Sequence, residues 1–169
     1  LRQAGWPVEE HAFEGTPPGA KPVPMVNLIA RRDGASPERV LLITHYDTKD
    51  IPGIAFVGAN DGASGTAVLL ELARVLSAAE LPLTTDLVFA DGEEALRQFQ
   101  AHPCDVVMLD VEMPGLNGYQ VCAALRQEVG DEPEADDARC DEDGADDEGE
   151  AGGQGEVAVR VATGQRGDD

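Results

Sequence analysis

Residues 40–47 read Val-Leu-Leu-Ile-Thr-His-Tyr-Asp, a continuous apolar run that ends on an imidazole and a carboxylate. Runs that are apolar on both faces belong to strands buried in parallel sheets. Downstream, Tyr46 to Ser64 is rich in Gly, Asp, Asn and Pro and reads as a long loop at the carboxyl end of that strand. Loops of that length between regular elements commonly carry function. Gly65 to Ala78 then sets Val68, Leu69, Leu72, Ala73, Val75 and Leu76 at helical spacing, which predicts a helix with one broad apolar face. Beyond it, Thr85 to Ala90 reads as a strand, Glu93 to His102 as a helix, Asp105 to Leu109 as a strand and Tyr119 to Gln127 as a helix. Upstream, Val23 to Ala30 reads as a strand after a Pro- and Gly-rich lead, and Arg31 to Glu38 as a polar turn. This alternation predicts an α/β fold, a three-layer sandwich with a mostly parallel sheet. Ligands in such sheets gather where strands reach their carboxyl ends.

At 169 residues the chain holds one ordinary domain, or two fragments sharing a single sheet. Its 33 Asp and Glu against 12 Lys and Arg give a formal charge of −21, which argues against nucleic acid as a partner. The segment 128–169 carries 16 of the acidic residues and three Arg, and lacks Leu, Ile, Phe, Tyr, Trp and Met. Such a tail cannot bury enough apolar surface to offset its ordering entropy, so it is expected to be a disordered acidic low-complexity segment. It lacks Lys and Asn as well, and Ile, Phe, Tyr, Lys, Asn and Met need AT-rich codons, so the segment has the composition of a GC-rich gene read out of frame. Cys104, Cys122 and Cys140 are too far apart for a CxxC knuckle, and an odd count does not suggest a disulfide framework; buried thiols are expected. No apolar run approaches the roughly 20 residues needed to cross a bilayer, and no leader-like segment opens the sequence, so no membrane partner is expected.

Three short segments carry residues suited to metal chemistry. His45 and Asp47 lie two residues apart on one side of the chain, so one can bind a cation while the other orients it; the alternative is a hydrogen-bonded edge histidine. Phe56 to Gly65 reads Phe-Val-Gly-Ala-Asn-Asp-Gly-Ala-Ser-Gly, where small residues let the backbone fold tightly around Asp61. Its alternative role is to cap the following helix. The strand ending Phe89-Ala-Asp-Gly-Glu-Glu94 presents two adjacent glutamates, one able to ligate metal and the other to take the proton of a metal-bound water. Asp91 and Glu94 also have the spacing of a capping box.

Taken in order, Asn27-Leu-Ile-Ala, Thr44-His-Tyr-Asp-Thr-Lys49, the 56–65 segment, Leu70-Glu-Leu-Ala-Arg74 and Phe89-Ala-Asp-Gly-Glu-Glu94 resemble the zinc aminopeptidase and glutaminyl cyclase superfamily of metallopeptidases. The resemblance covers about residues 22–95 and marks 1–95 as a metallopeptidase-like fragment. It implies His45, Asp61 and Glu94 as metal ligands, Glu93 as general base and Asp47 as the group that orients His45. It further implies one or two Zn2+ ions and a peptide N-terminus as substrate, the Tyr-Asp-Thr-Lys wording leaning toward the cyclase branch. The family's downstream aspartate and histidine have no counterpart recognisable after Ala95, so the resemblance implies a truncated hydrolase with an incomplete, weakly held metal site.

A second resemblance begins at Ala90. Asp91-Gly-Glu-Glu-Ala-Leu96, Asp105-Val-Val-Met-Leu-Asp110-Val-Glu-Met-Pro-Gly-Leu-Asn-Gly118 and Leu125-Arg126 are similar to the receiver domain of response regulators, over 90–127. It implies Asp110 as a phosphoacceptor, Mg2+ as cofactor, and a histidine kinase as partner in a two-component phosphorelay. Receivers also need an acidic pair and a lysine that are not identifiable here, since the lysines are Lys21 and Lys49. A chimera without function is the third expectation, with the shared word Asp91-Gly-Glu-Glu-Ala95 as its junction.

Overall fold

The computed structural model describes residues 1–16, 21–48, 51, 53–113, 115–129 and 156–160. A short 3-10 turn, Arg2–Ala4, precedes β1 (Val8–Gly15), β2 (Val23–Arg32) and β3 (Ser36–Thr44). Then follow α1 (Ala63–Leu76), β4 (Leu83–Phe89), α2 (Gly92–Ala101), β5 (Val106–Asp110), α3 (Gly118–Val129) and β6 (Glu156–Arg160). The strands form one sheet in the order β1-β2-β4-β3-β5-β6.

The α/β class read from the sequence is the one observed, with parallel pairing concentrated at the centre. β3 runs parallel to both β4 and β5, while β2 joins β4, β1 joins β2 and β6 joins β5 antiparallel. The parallel trio follows from its connections, because each strand leads through a helix long enough to return the chain to the same edge. Thr44 pairs with Phe89 and Ile43 with Leu109, so β3, β4 and β5 all finish at one edge.

Period-two alternation splits the core into two layers. Leu41 and Ile43 of β3, Val88 of β4 and Val107 and Leu109 of β5 face α2 and α3, packing with Ala95, Phe99, Val121 and Leu125. The intervening Leu42, Leu87 and Phe89 face α1, packing with Leu69, Ala73 and Trp6. The sheet is therefore the middle of three layers. Trp6 fastens the amino-terminal end to α1: its indole N–H donates to the Ala73 carbonyl at 2.9 Å, and the Arg32 guanidinium lies 5.4 Å from its ring centre. Arg32 also donates to the Leu76 carbonyl at 2.6 Å, satisfying a carbonyl at the end of α1.

Two strands lay outside the sequence reading. β1 is an edge strand whose Glu9, Glu10, His11 and Glu14 are exposed, so it shows no apolar run or alternation. β6 falls in the tail expected to be disordered; its backbone supplies the partners that the outer edge of β5 would otherwise lack. The rest of that tail, and Cys140 with it, lies outside the described residues. Cys104 and Cys122 are buried, as expected.

Candidate functional site

At the shared edge, His45 follows directly on β3 and is 4% exposed. Its Nδ1 stands 3.2 Å from Asp47 Oδ1. An ionised carboxylate can only accept, so Nδ1 carries the hydrogen of this contact. Nε2 lies 3.3 Å from Asp61 Oδ1 and 4.0 Å from Asp110 Oδ2. Burial alone would lower the imidazole pKa, but Asp47, Asp110 and Asp61 together outweigh it and hold the pKa above its usual value. The hydrogen bond from His45 is the main cause that lowers the Asp47 pKa.

The backbone delivers Asp61 for local reasons. Gly62, at φ +85°, is the N-cap of α1, and a side chain there would meet the Asp47 carbonyl and the His45 ring, both at 3.0 Å. A glycine therefore lets the chain turn tightly under the imidazole. The cap position belongs to Gly62 rather than Asp61, whose carboxylate faces His45.

The two glutamates part company, because neighbouring positions at the start of a helix point in different directions. Asp91 is the N-cap of α2, accepting from the Glu94 backbone N–H at 2.7 Å, which is half of the capping box weighed from the sequence. Glu94 is buried and surrounded by donors: Gln98 at 2.7 Å, Arg97 at 2.8 Å and Asn27 at 3.3 Å, with His11 Nδ1 at 3.6 Å. Glu93 is exposed, and its carboxylate lies against Gly115, where φ is +74° and any side chain would collide with it.

The sequence reading makes Asp110 a phosphoacceptor; in space it is the second carboxylate, after Asp61, that faces His45 Nε2. A downstream aspartate thereby enters the site. What identified its neighbourhood in the sequence was the shared strand-end position, but the adjacency of β5 to β3 is a property of the sheet order.

A zinc–nitrogen bond of about 2.0–2.1 Å in a tetrahedral shell places neighbouring donors about 3.3 Å apart. The His45–Asp61 spacing of 3.3 Å fits that edge, and an imidazole steadied by a carboxylate through its other nitrogen suits a metal ligand. Among the described residues, however, no three His, Cys, Asp or Glu side chains converge closely enough to form a metal cage. His45 and Asp61 are a matched pair, Asp110 is set back, and Glu94 is engaged with other groups.

The profile of Peptidase family M28 matches residues 27–129. The chain belongs to peptidase family M28. The matched range includes 90–127, so the receiver-like wording lies inside the M28 unit, where β5 pairs with β3. This M28 chain is 39% identical over 106 residues to the glutaminyl-peptide cyclotransferase-like protein of Bos taurus, a match that covers 57% of this chain and 27% of that protein. It is 36% identical over 104 residues to the glutaminyl-peptide cyclotransferase of Drosophila melanogaster, covering 59% and 29%. Among solved structures, the glutaminyl cyclase of Porphyromonas gingivalis aligns with a TM-score of 0.47 and 38% identity over 54% of this chain and 32% of that one. The M28 chain thus spans between a quarter and a third of these relatives' length.

Proposed function

We propose that this chain carries the zinc-binding portion of an M28 enzyme that acts on peptide N-termini and cyclises an N-terminal glutamine. The observation that carries the reading is His45, whose Nδ1 is held by Asp47 while Nε2 faces Asp61 and Asp110. His45 and Asp61 would hold the ion, and Asp110 would close on it as the third donor. When bound, zinc would supply a Lewis acid beside the substrate carbonyl. The similarity to glutaminyl-peptide cyclotransferases supports the choice of substrate.

In this reading Glu93 moves the proton. It takes one from the substrate's α-amino group as that nitrogen bonds to the side-chain amide carbon, and returns it to the departing ammonia as the lactam forms. Its exposure at the start of α2 leaves it accessible to a substrate. Glu94 serves the site indirectly: its bonds to Asn27 of β2 and to Gln98 and Arg97 fix the first turns of α2, the element that carries Glu93.

The test is the full chain with added zinc and a peptide beginning with glutamine, followed by mass spectrometry and an ammonia assay, beside a leucine amide as aminopeptidase substrate. Zinc-dependent cyclisation that Glu93→Gln reduces at least 100-fold is the expected result, within the usual range for a lost general acid–base group. Cleavage of the leucine amide without cyclisation would move the chain to the aminopeptidase branch, and activity unaffected by zinc or by Glu93→Gln would overturn the proposal.

A further inference from the structure

Asp110 is the more exposed of the two carboxylates that face Nε2, and a strand-end carboxylate can turn about two side-chain bonds, so something must aim it. Two bonds do so. The Glu112 backbone N–H donates to Oδ1 at 3.2 Å, and the Thr44 hydroxyl donates to Oδ2 at 3.1 Å, the oxygen that faces His45. Thr44 is 3% exposed, and its Oγ1 also lies 3.3 Å from the His45 carbonyl. A hydroxyl has one hydrogen, and an ionised carboxylate at the shorter distance is the stronger acceptor. The branched Thr44 side chain has a stiff first torsion, so the donor is held in place. α1 closes over the pair at Gly65, where an added side chain would collide with Thr44 Oγ1 and stand 3.2 Å from Asp110 Oδ2.

We infer that Thr44 is a positioning residue whose hydroxyl aims Asp110 at the ion expected beside His45. This rests on the zinc-site reading given above and adds the group that makes Asp110 available to it. Thr44 touches neither substrate nor ion; it acts through the orientation of one carboxylate, as outer groups around metal ligands do.

The experiment is zinc titration of the full chain by calorimetry, with thermal melts of the metal-free proteins. Thr44→Val is expected to weaken zinc binding about 10-fold or more, the range seen when such outer groups are lost, while Thr44→Ser restores most of the affinity. In an Asp110→Asn background, Thr44→Val is expected to change affinity no further, because the group it aims is gone. Where the buried valine lowers the melting temperature sharply, Thr44→Ala in the same two backgrounds answers the same question. Wild-type affinity in Thr44→Val or Thr44→Ala, or an equal loss in the Asp110→Asn background, would overturn the inference while leaving the zinc site standing. Failure of the unaltered chain to bind zinc would overturn both.

Discussion

His45 Nδ1 and Asp47 Oδ1 stand 3.2 Å apart, and this contact settles what the opposite side of the imidazole can do. With Nδ1 held by Asp47, Nε2 is the ring nitrogen that faces Asp61 and Asp110. Asp47→Asn keeps the shape but removes the charge that selects this tautomer. Zinc affinity is expected to fall about 10–100-fold, measured by calorimetry against the unaltered chain; equal affinities would show that Asp47 does not orient the ring.

Gly62 offers a backbone test of the same site. Its left-handed φ of +85° costs a residue with a side chain about 1–2 kcal/mol, and here the new Cβ would also press on His45 and the Asp47 carbonyl. Gly62→Ala is expected to lower the unfolding free energy by about that amount and to weaken zinc binding. Urea denaturation and zinc titration of the same preparation check both outcomes.

The opposite edge of the sheet holds a buried charge cluster. Asp86 is 3% exposed and receives Arg31 Nε at 2.7 Å together with the Arg39 guanidinium, whose Nε is the one buried side-chain nitrogen or oxygen among the described residues that lacks a hydrogen bond. Removing one partner of a buried pair leaves the other uncompensated, typically at a cost of about 3–5 kcal/mol. Asp86→Asn is therefore expected to destabilise the fold by about that much in urea titration, whereas Arg31→Ala, on the more exposed partner, costs less.

Burial pushes the Cys104 thiol up to about 12 from 9.0. In a variant retaining Cys104 as its sole cysteine, the native protein should react with a disulfide reagent at pH 8 far more slowly than the unfolded chain, since the thiolate is the nucleophile. The sign for stability follows. Above pH 9 the unfolded state loses this proton while the folded state keeps it, so unfolding is favoured as pH rises from about 9 toward 12. Denaturant midpoints across that range check it, and a Cys104→Ala variant should show a shallower decline.

The strands and helices from β2 to α3 were legible because each buries a continuous or periodic set of apolar residues: Leu41 to Ile43 in β3, Leu69 and Ala73 in α1, Val107 and Leu109 in β5. β1 was not, since its charged residues face solvent and only pairing with β2 makes it a strand. At the site, His45, Asp47 and Asp61 lie close in sequence, and their convergence could be read from a strand end and a glycine-rich turn. The contacts of Glu94 with Asn27 and His11 were not legible, because they depend on β2 and β1, far away in the chain. Asp110 was legible as a strand-end carboxylate, but no local signal states which strand lies beside β3.

Every role proposed for the site requires a divalent cation between His45 and Asp61. The decisive measurement is calorimetric titration of the full chain with Zn2+, beside His45→Ala and Asp61→Asn. Saturable binding that falls at least 10-fold in each variant, with their metal-free melts retained, is the predicted result. A chain that binds no zinc, or binds it equally well in all three forms, would contradict it.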